Sequence, residues 1–191
     1  MSIIDTLVTD RTLADYQLWQ SLKALGWSGM SSAQQAQWSA GMKGAYNATD
    51  LNRVTEAVEY LVSVFEALGY SVPGYADPGV TWAIGDAPTD EQLELYLATV
   101  QALMDVLKTA QYTADLPQSM ALLTYVGANN IEQILFEINA YLEAMQAVFL
   151  RASMPWAYAG ADYYYPDLWL YLYTSDGLLV VTEDDLAVQV R

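Results

Sequence analysis

The side chains of this sequence that could carry out acid–base chemistry are its carboxylates, because the chain contains neither histidine nor cysteine. This composition excludes thiol nucleophiles, zinc sites built from Cys and His, and triads that use a histidine base. Two pairs of glutamates are one helical turn apart, Glu56 with Glu59 and Glu91 with Glu94. A glycosidase needs two carboxylates facing one cleft, one of them with a raised pKa. Since such pairs are also typical of a solvated surface, we predict no catalytic residue.

Carboxylates near the C-terminus could instead bind a cation through oxygen ligands. They are Asp162, Asp167, Asp176 and the cluster 183–185. Their spacing does not match the calcium loop of an EF-hand. We therefore predict no metal and no cofactor, and calcium is an alternative.

Aromatic side chains form the third chemical group, since eight of the eighteen residues from Trp156 to Tyr173 are Trp or Tyr. These two residue types are enriched in binding hot spots, and their rings stack well on flat apolar surfaces. We interpret the group as a contact surface for a partner or a second copy of the chain. The alternatives are a platform for glycans and an internal cover for a sheet. The predicted interface residues are Trp156, Tyr158, Tyr163, Tyr164, Tyr165, Trp169, Tyr171 and Tyr173.

The charge balance bears on partners. There are 23 acidic residues against 7 basic ones, which gives a net charge of -16. Nucleic-acid affinity comes largely from Lys and Arg neutralising phosphates, and anionic lipids are repelled by the same field. We expect neither nucleic acid nor membrane as a partner. The N-terminal MSIIDTLVTDRT lacks the basic start and apolar run of a signal peptide, and no apolar stretch approaches the length of a membrane span.

The elements that position these groups are mostly helices. Polar residues that suit a helix start precede apolar residues at the 3/4 spacing of one helix face. Leu18, Leu22 and Leu25 recur at this spacing in the first helix. Segment 70–88, rich in Pro and Gly, predicts a loop that Trp82 holds in place. The predicted helix starts and spans are Thr12 to Gly26, Ser31 to Gly41, 47–68, Thr89 to Leu107 and Tyr125 to Arg151.

The C-terminal segment has a different pattern. Residues 168–173 alternate aliphatic and aromatic side chains, Ser175-Asp176-Gly177 is typical of a hairpin turn, and 178–181 forms the returning strand. Leu186, Val188 and Val190 alternate again. We predict a mainly α fold: an antiparallel helical bundle over 1–152, with a small antiparallel β-meander over 153–191 packed on the bundle or on a partner.

The phrase GAYNATDLNRV at 44–54 introduces the third helix. The side chain of Asn47 or Thr49 can cap this helix. The negative charge of Asp50 is stabilising near the N-terminus, which is the positive end of the helix dipole. Capping requires neither Asn52 nor Arg53. We predict that Asn47, Asp50, Asn52 and Arg53 form a structural network, with Arg53 buried beside Asn52 to fix how neighbouring helices dock. The alternative is an ion pair of Arg53 with Asp50 or Glu56 along the helix. Segments 47–68 and 124–145 also share a weak similarity in which Asn52-Arg53-Val54 aligns with Asn129-Asn130-Ile131.

The phrase from Met42 to Val54 resembles a signature of structural proteins encoded by phages and prophages of Gram-positive gut bacteria. Further similar pieces extend the resemblance over most of residues 10–135. They include Asp10-Arg11-Thr12, Gly26-Trp27, Trp38, Ala57-Val58-Glu59-Tyr60-Leu61, Trp82, Leu116-Pro117-Gln118-Ser119-Met120 and Ala128-Asn129-Asn130-Ile131-Glu132.

The resemblance implies a minor tail or baseplate component. It implies no catalytic residue, and the tyrosine-rich segment from Trp156 onward departs from the family pattern. We therefore predict a non-enzymatic virion protein, assembled in the bacterial cytoplasm, whose partners are tail proteins and further copies of itself. The alternatives are a glycan-binding adsorption module that uses the Trp156–Tyr173 aromatics and a carboxylate-dependent cell-wall glycosidase.

Overall fold

The computed structural model of the chain describes residues 2–152, 171–174 and 177–180. The chain divides into two compact units, Met1–Ala144 and Met145–Arg191. The described part is mainly helical, as the sequence predicts, and no described helix combines the length and apolar character needed to span a bilayer. Short 3-10 helices at Ile3–Thr6 and Trp27–Gly29 precede the first two α-helices. The α-helices are α1 Leu13–Leu25, α2 Ser32–Ser39, α3 Ala48–Ala67, α4 Asp90–Val106 and α5 Tyr125–Ala152.

The helix starts follow local capping chemistry. In the first four helices a side chain before the first turn accepts a hydrogen bond from the backbone, and a side chain in that turn accepts one in return. These pairs are Thr12 with Asp15, Ser31 with Gln34, Asn47 with Asp50, and Thr89 with Gln92. At the start of α5 the Thr124 hydroxyl accepts a hydrogen bond from the Gly127 N–H at 3.1 Å. The predicted starts are confirmed, and Asn47 rather than Thr49 caps α3.

The core of the first unit comes from α3, α4 and α5, and α3 packs against α4 and the N-terminal 3-10 helix. The apolar stripes predicted from the sequence form this core, because residues three and four apart face the same side of a helix. Among the described residues, the apolar ones with no exposed surface are Val54, Ala57, Leu61 and Phe65 of α3, Val100 and Leu103 of α4, and Ile131, Ile134, Leu135 and Ile138 of α5.

Helix α1 buries less of its apolar stripe than the spacing suggests. Leu22 packs with Met30 and Met42 in a small separate cluster. Leu18 and Leu25, one turn before and one turn after Leu22 on the same stripe, are 41% and 52% exposed. The partly buried side chains of Trp19, Trp38 and Ala45 pack against this cluster, whereas Leu18 and Leu25 stay on the surface.

The second unit contains a described hairpin, formed by β1 Tyr171–Thr174 and β2 Gly177–Val180. The strands are antiparallel, with Tyr171 opposite Val180 and Thr174 opposite Gly177. The predicted turn residues 175–176 and the predicted third strand at 186–190 lie outside the described residues.

Gly44 shows how closely two segments approach in the first unit. A Cβ at this position would lie 2.0 Å from the backbone carbonyl oxygen of Asp15, and backbone cannot rotate away as a side chain can. We expect Gly44→Ala to lower the free energy of unfolding by about 2 kcal/mol or more through overpacking. Urea unfolding followed by circular dichroism measures the change.

Gly29→Ala is the matched control, because its added Cβ would meet the Leu25 side chain at an ordinary 3.5 Å. Equal denaturation midpoints for the two variants would contradict the close approach at Gly44.

Candidate functional site

Four charged side chains from three segments meet inside the first unit. Arg11 precedes α1, Asp50 and Arg53 lie in the first turns of α3, and Glu132 lies in the second turn of α5. Glu132 is completely buried, and the side chains of Arg11, Asp50 and Arg53 are only 2%, 9% and 13% exposed. We refer to these four residues as the charge network. Its two positive and two negative charges cancel.

Glu132 and Asp50 bridge both arginines. Arg53 binds Glu132 with two parallel hydrogen bonds, from Nε to Oε2 at 2.9 Å and from a terminal nitrogen to Oε1 at 2.8 Å. The same terminal nitrogen of Arg53 lies 2.5 Å from Asp50 Oδ1. Arg11 donates to Asp50 Oδ1 at 2.8 Å and to Glu132 Oε1 at 2.6 Å. This arrangement uses the forked guanidinium geometry that a lysine cannot reproduce.

The charge network also fixes the chain before α1. Glu132 Oε2 accepts a hydrogen bond from the Val8 N–H at 2.6 Å, and Arg11 donates to the Val8 carbonyl at 2.6 Å. Asp50 Oδ2 accepts from the Asn47 N–H, so the carboxylate that caps α3 also binds the arginines. One set of side chains therefore joins the N-terminal segment, α3 and α5.

Burial sets the energetics of this cluster. Burial opposes the charge on Arg53, but its hydrogen bonds and attraction to Glu132 and Asp50 outweigh that cost and raise the Arg53 pKa. Removal of one partner from a buried ion pair leaves an uncompensated charge, which is strongly destabilising. The charge network is thus a structural element that must be complete.

Two asparagines extend this polar core by binding the backbone of single residues. Asn52 Oδ1 accepts from the Trp82 N–H at 2.8 Å, and its Nδ2 donates to the Trp82 carbonyl at 2.9 Å. Asn129 forms the same pair of bonds with the N–H and carbonyl of Arg11, at 3.0 and 2.9 Å. Asn52 therefore holds loop 70–88 at Trp82 through the backbone of that residue. The aligned positions of the weak internal similarity make the same interaction.

Tyr46 connects the charge network to α4. The Arg11 guanidinium lies 5.3 Å from the centre of the Tyr46 ring, and the Tyr46 hydroxyl hydrogen-bonds the hydroxyl of Tyr96. Burial raises the pKa of both phenols, with a further contribution to Tyr46 from the charge of Glu132 and to Tyr96 from Tyr46 itself. Both tyrosines are therefore held as neutral hydrogen-bonding groups.

A cleft of about 300 Å³ opens beside Arg11 and Tyr46, and we call it the aromatic cleft. The ring centre of Tyr16 lies 5.7 Å from that of Trp19 and 6.2 Å from that of Tyr125. The cleft is lined by Arg11, Tyr16, Trp19, Gly44, Ala45, Tyr46, Leu51, Pro88, Leu93, Met120, Ala121, Leu123, Thr124, Tyr125 and Ala128. No carboxylate is among these lining residues, and Asp50 and Glu132 are occupied by the arginines.

The other candidate residues predicted from the sequence, which are the glutamate pairs, the C-terminal acids and the aromatic interface residues, lie outside the charge network. Glu56, Glu59, Glu91 and Glu94 are exposed, and the described residues contain no group of three or more acidic side chains that could hold a metal. The acids at 162, 167, 176 and 183–185 lie outside the described residues. Tyr171 and Tyr173 lie in β1, and the remaining predicted interface residues, Trp156, Tyr158, Tyr163, Tyr164, Tyr165 and Trp169, also lie outside the described residues.

Sequence reasoning placed Asn47, Asp50, Asn52 and Arg53 in one structural network and offered Asp50 as an alternative partner for Arg53, but it did not find the partners outside α3. Arg53 contacts Asp50 and Glu132, whereas Asn52 binds the loop rather than Arg53. The missed residues are Arg11, Asn129 and Glu132. Glu132 sits in the apolar face of α5 between Ala128 and Leu135, and a charged residue in such a stripe is the signal that could have revealed it.

Comparison of the chain with protein-family models, with curated proteins and with solved structures finds no match. The resemblance to phage structural proteins therefore stays a prediction, and the geometry of the site is the basis for the functional proposal.

Glu132 offers a direct test of the charge network. We expect Glu132→Gln to lower the free energy of unfolding by about 3 kcal/mol or more, because the buried guanidinium group of Arg11 and the largely buried one of Arg53 would share one carboxylate. Chemical denaturation at neutral pH measures this loss.

Glu143→Gln is the control on the same helix, since Glu143 is exposed and, within the described residues, bonds only Asn139, whose amide can also donate to glutamine. We expect a change within about 0.5 kcal/mol for this variant. Similar values for both variants would show that the charge network does not stabilise the fold.

The tyrosine pair predicts a loss of stability at high pH. Since burial raises both phenol pKa values, the unfolded chain loses protons above about pH 10 that the folded chain keeps. The free energy of unfolding should therefore fall as pH rises beyond about 10. The double variant Tyr46→Phe/Tyr96→Phe should show a shallower fall in urea titrations between about pH 9 and 11.5.

Tyr60→Phe, which changes an exposed tyrosine, should keep the full slope. An unchanged slope in the double variant would contradict the assignment to this pair.

Proposed function

We propose that this chain is a non-enzymatic structural and assembly component of a phage tail or baseplate, acting in the virion through protein–protein contacts. The observation that carries the proposal is the set of structural contacts made by the residues of the phrase at 44–54. Its polar side chains cap α3, bind the loop at Trp82 and complete the charge network. The phrase at 44–54, which carries the resemblance to phage proteins, thus connects the helices and the loop of the first unit.

The distribution of carboxylates favours this proposal over a glycosidase. That reaction needs two carboxyl groups about 5–10 Å apart on either side of an open substrate site. Within the described residues, Asp50 and Glu132 come together, but both are buried and each binds two arginines. The aromatic cleft is lined by no acid that could protonate a leaving group.

Exposed apolar side chains favour assembly as the role. Leu18, Leu25 and Trp27 lie on or directly after α1 and are 41%, 52% and 55% exposed. Leu18 and Leu25 are seven residues apart and therefore lie on the same face of α1, and exposed apolar patches are typical of protein–protein contact sites. As part of the same proposal, the helices form an antiparallel bundle, and the C-terminal meander with its Trp and Tyr residues supplies a second contact surface.

The proposal predicts self-association or capture of a tail protein. Light scattering should give a mass above that of the monomer at high protein concentration, or a pull-down should retain a tail protein encoded beside this chain. Leu18→Ser/Leu25→Ser should weaken the association, because it removes exposed apolar surface from α1.

Gln17→Ser/Ala24→Ser is the matched control, since both residues are exposed on the same helix but neither is large and apolar. A strict monomer that retains no tail protein would remove the support for this function.

A further inference from the structure

Helix α1 has an exposed face without charged residues, in a chain whose net charge is -16. We propose that this face binds the same face of a second copy of the chain, with the two α1 helices antiparallel about a two-fold axis. This inference rests on the proposed function, since it names the partner and the geometry of one assembly contact.

Four residues form this face, and their spacing of four, three and four positions places them along one side of the helix. They are Ala14, Leu18, Ser21 and Leu25, and we call them the α1 face. All four are exposed, including the two leucines at 41% and 52%. The α1 face therefore alternates small and large side chains along a line that is open to solvent.

The two charged residues of α1 lie away from this face. Asp15 is seven residues before the buried Leu22, which places it on the side of the helix that Leu22 occupies, and it caps the helix start. Lys23 Nζ lies 4.8 Å from the centre of the Trp19 ring, and Trp19 packs against the Leu22 cluster. Neither charge interrupts the α1 face.

The charge pattern favours contact between copies at this position. Two copies that each carry a net charge of -16 repel each other, and like charges brought face to face are costly. Residues 16–49 contain no Asp or Glu, although the whole chain has 23 acidic residues. Two copies that meet through the α1 face therefore bury apolar surface without bringing carboxylates of that face together.

Side-chain size makes the α1 face complementary to itself in one orientation. In an antiparallel pair with its axis midway between Leu18 and Ser21, Leu18 meets Ser21 of the second copy. Leu25 then meets Ala14 of the second copy, and each contact occurs twice, as two-fold symmetry requires. A large side chain opposite a small one fills the space between two helices. In a parallel pair leucine would meet leucine, and gaps would remain at the small residues.

The size of the contact predicts its strength. Helix α1 has 13 residues and is about 20 Å long. One pair of helices of this length buries less surface than a standard stable interface. We therefore expect a weak dimer that is populated at high protein concentration. Its Kd should fall as salt screens the repulsion between the acidic copies.

Sedimentation equilibrium of the full chain over a range of concentrations measures the dimer Kd. We expect Ser21→Glu to raise this Kd by about tenfold or more, because two added carboxylates would meet close to the two-fold axis. Gln20→Glu is the matched control, since Gln20 is exposed on the same helix but lies off the α1 face. Both variants add one charge to each copy, and the control should change the Kd by less than about twofold.

Disulfide trapping tests the orientation, and the absence of natural cysteine makes each engineered thiol unique. A mixture of Ala14→Cys and Leu25→Cys should form a disulfide between the two variants under mild oxidation, because these positions are opposite each other in the antiparallel pair. Each variant alone should stay reduced. Its two thiols would lie about 16 Å apart along the helices, which is too far for a disulfide.

Several results would overturn the proposal. They are a strict monomer at high concentration and high salt, a Kd that Ser21→Glu leaves unchanged, and disulfides that form within each variant alone as readily as in the mixture. A strict monomer in which a bound tail protein protects Ser21→Cys from alkylation would assign the α1 face to that protein instead.

The outcomes also separate this inference from the proposed function. A strict monomer that captures a tail protein disproves only the α1 contact, whereas a strict monomer that captures none removes the support for both. Self-association that Ser21→Glu does not weaken disproves the antiparallel α1 pair and still supports the proposed function.

Discussion

The first unit depends on the neutralisation of two arginines, Arg11 buried and Arg53 largely buried, by two buried carboxylates. Glu132 has no exposed surface, and such a group is tolerated only when its oxygens are fully hydrogen-bonded. Here Oε1 accepts from Arg11 and Arg53, and Oε2 accepts from Arg53 and the Val8 N–H. Because these donors come from segments far apart in the chain, satisfying one carboxylate fixes the N-terminal segment, α3 and α5 together. Apolar packing between the helices gives the bulk of the burial, and the charge network selects one arrangement of them.

Several residues of the phrase at 44–54 make contacts that fix the position of neighbouring segments. Gly44 allows the backbone to approach Asp15, Asn47 caps α3, and Asp50 both caps the helix and binds the arginines. Asn52 uses both ends of its amide on a single loop residue, as Asn129 does on Arg11. The same chemistry at two aligned positions accords with the internal similarity of segments 47–68 and 124–145. Each segment begins a core helix and uses an asparagine in its second turn to hold a distant loop.

Arg11 belongs to both the charge network and the aromatic cleft. Its terminal nitrogens bind Asp50 and Glu132, and within the described residues its buried Nε has no hydrogen-bond partner. Its guanidinium group also lies over the Tyr46 ring. The Arg11 side chain therefore connects the charge network with the aromatic residues beside it.

The sequence alone determined where the helices begin and which faces of α3, α4 and α5 are buried, because capping and the 3/4 spacing involve residues only a few positions apart. It also indicated that Asn52 and Arg53 have a role other than capping, since the capping residues Asn47 and Asp50 already precede them. Only the tertiary structure decided that Arg53 pairs with Glu132 among so many acidic residues, and that Arg11 joins them. The exposed leucines of α1 and the aromatic cleft were likewise beyond local patterns. Segments 11–19, 44–51, 88–93 and 120–128 come together to form the cleft, and the exposure of the leucines depends on which distant segments cover α1. Such long-range proximity leaves no periodic signal in the chain.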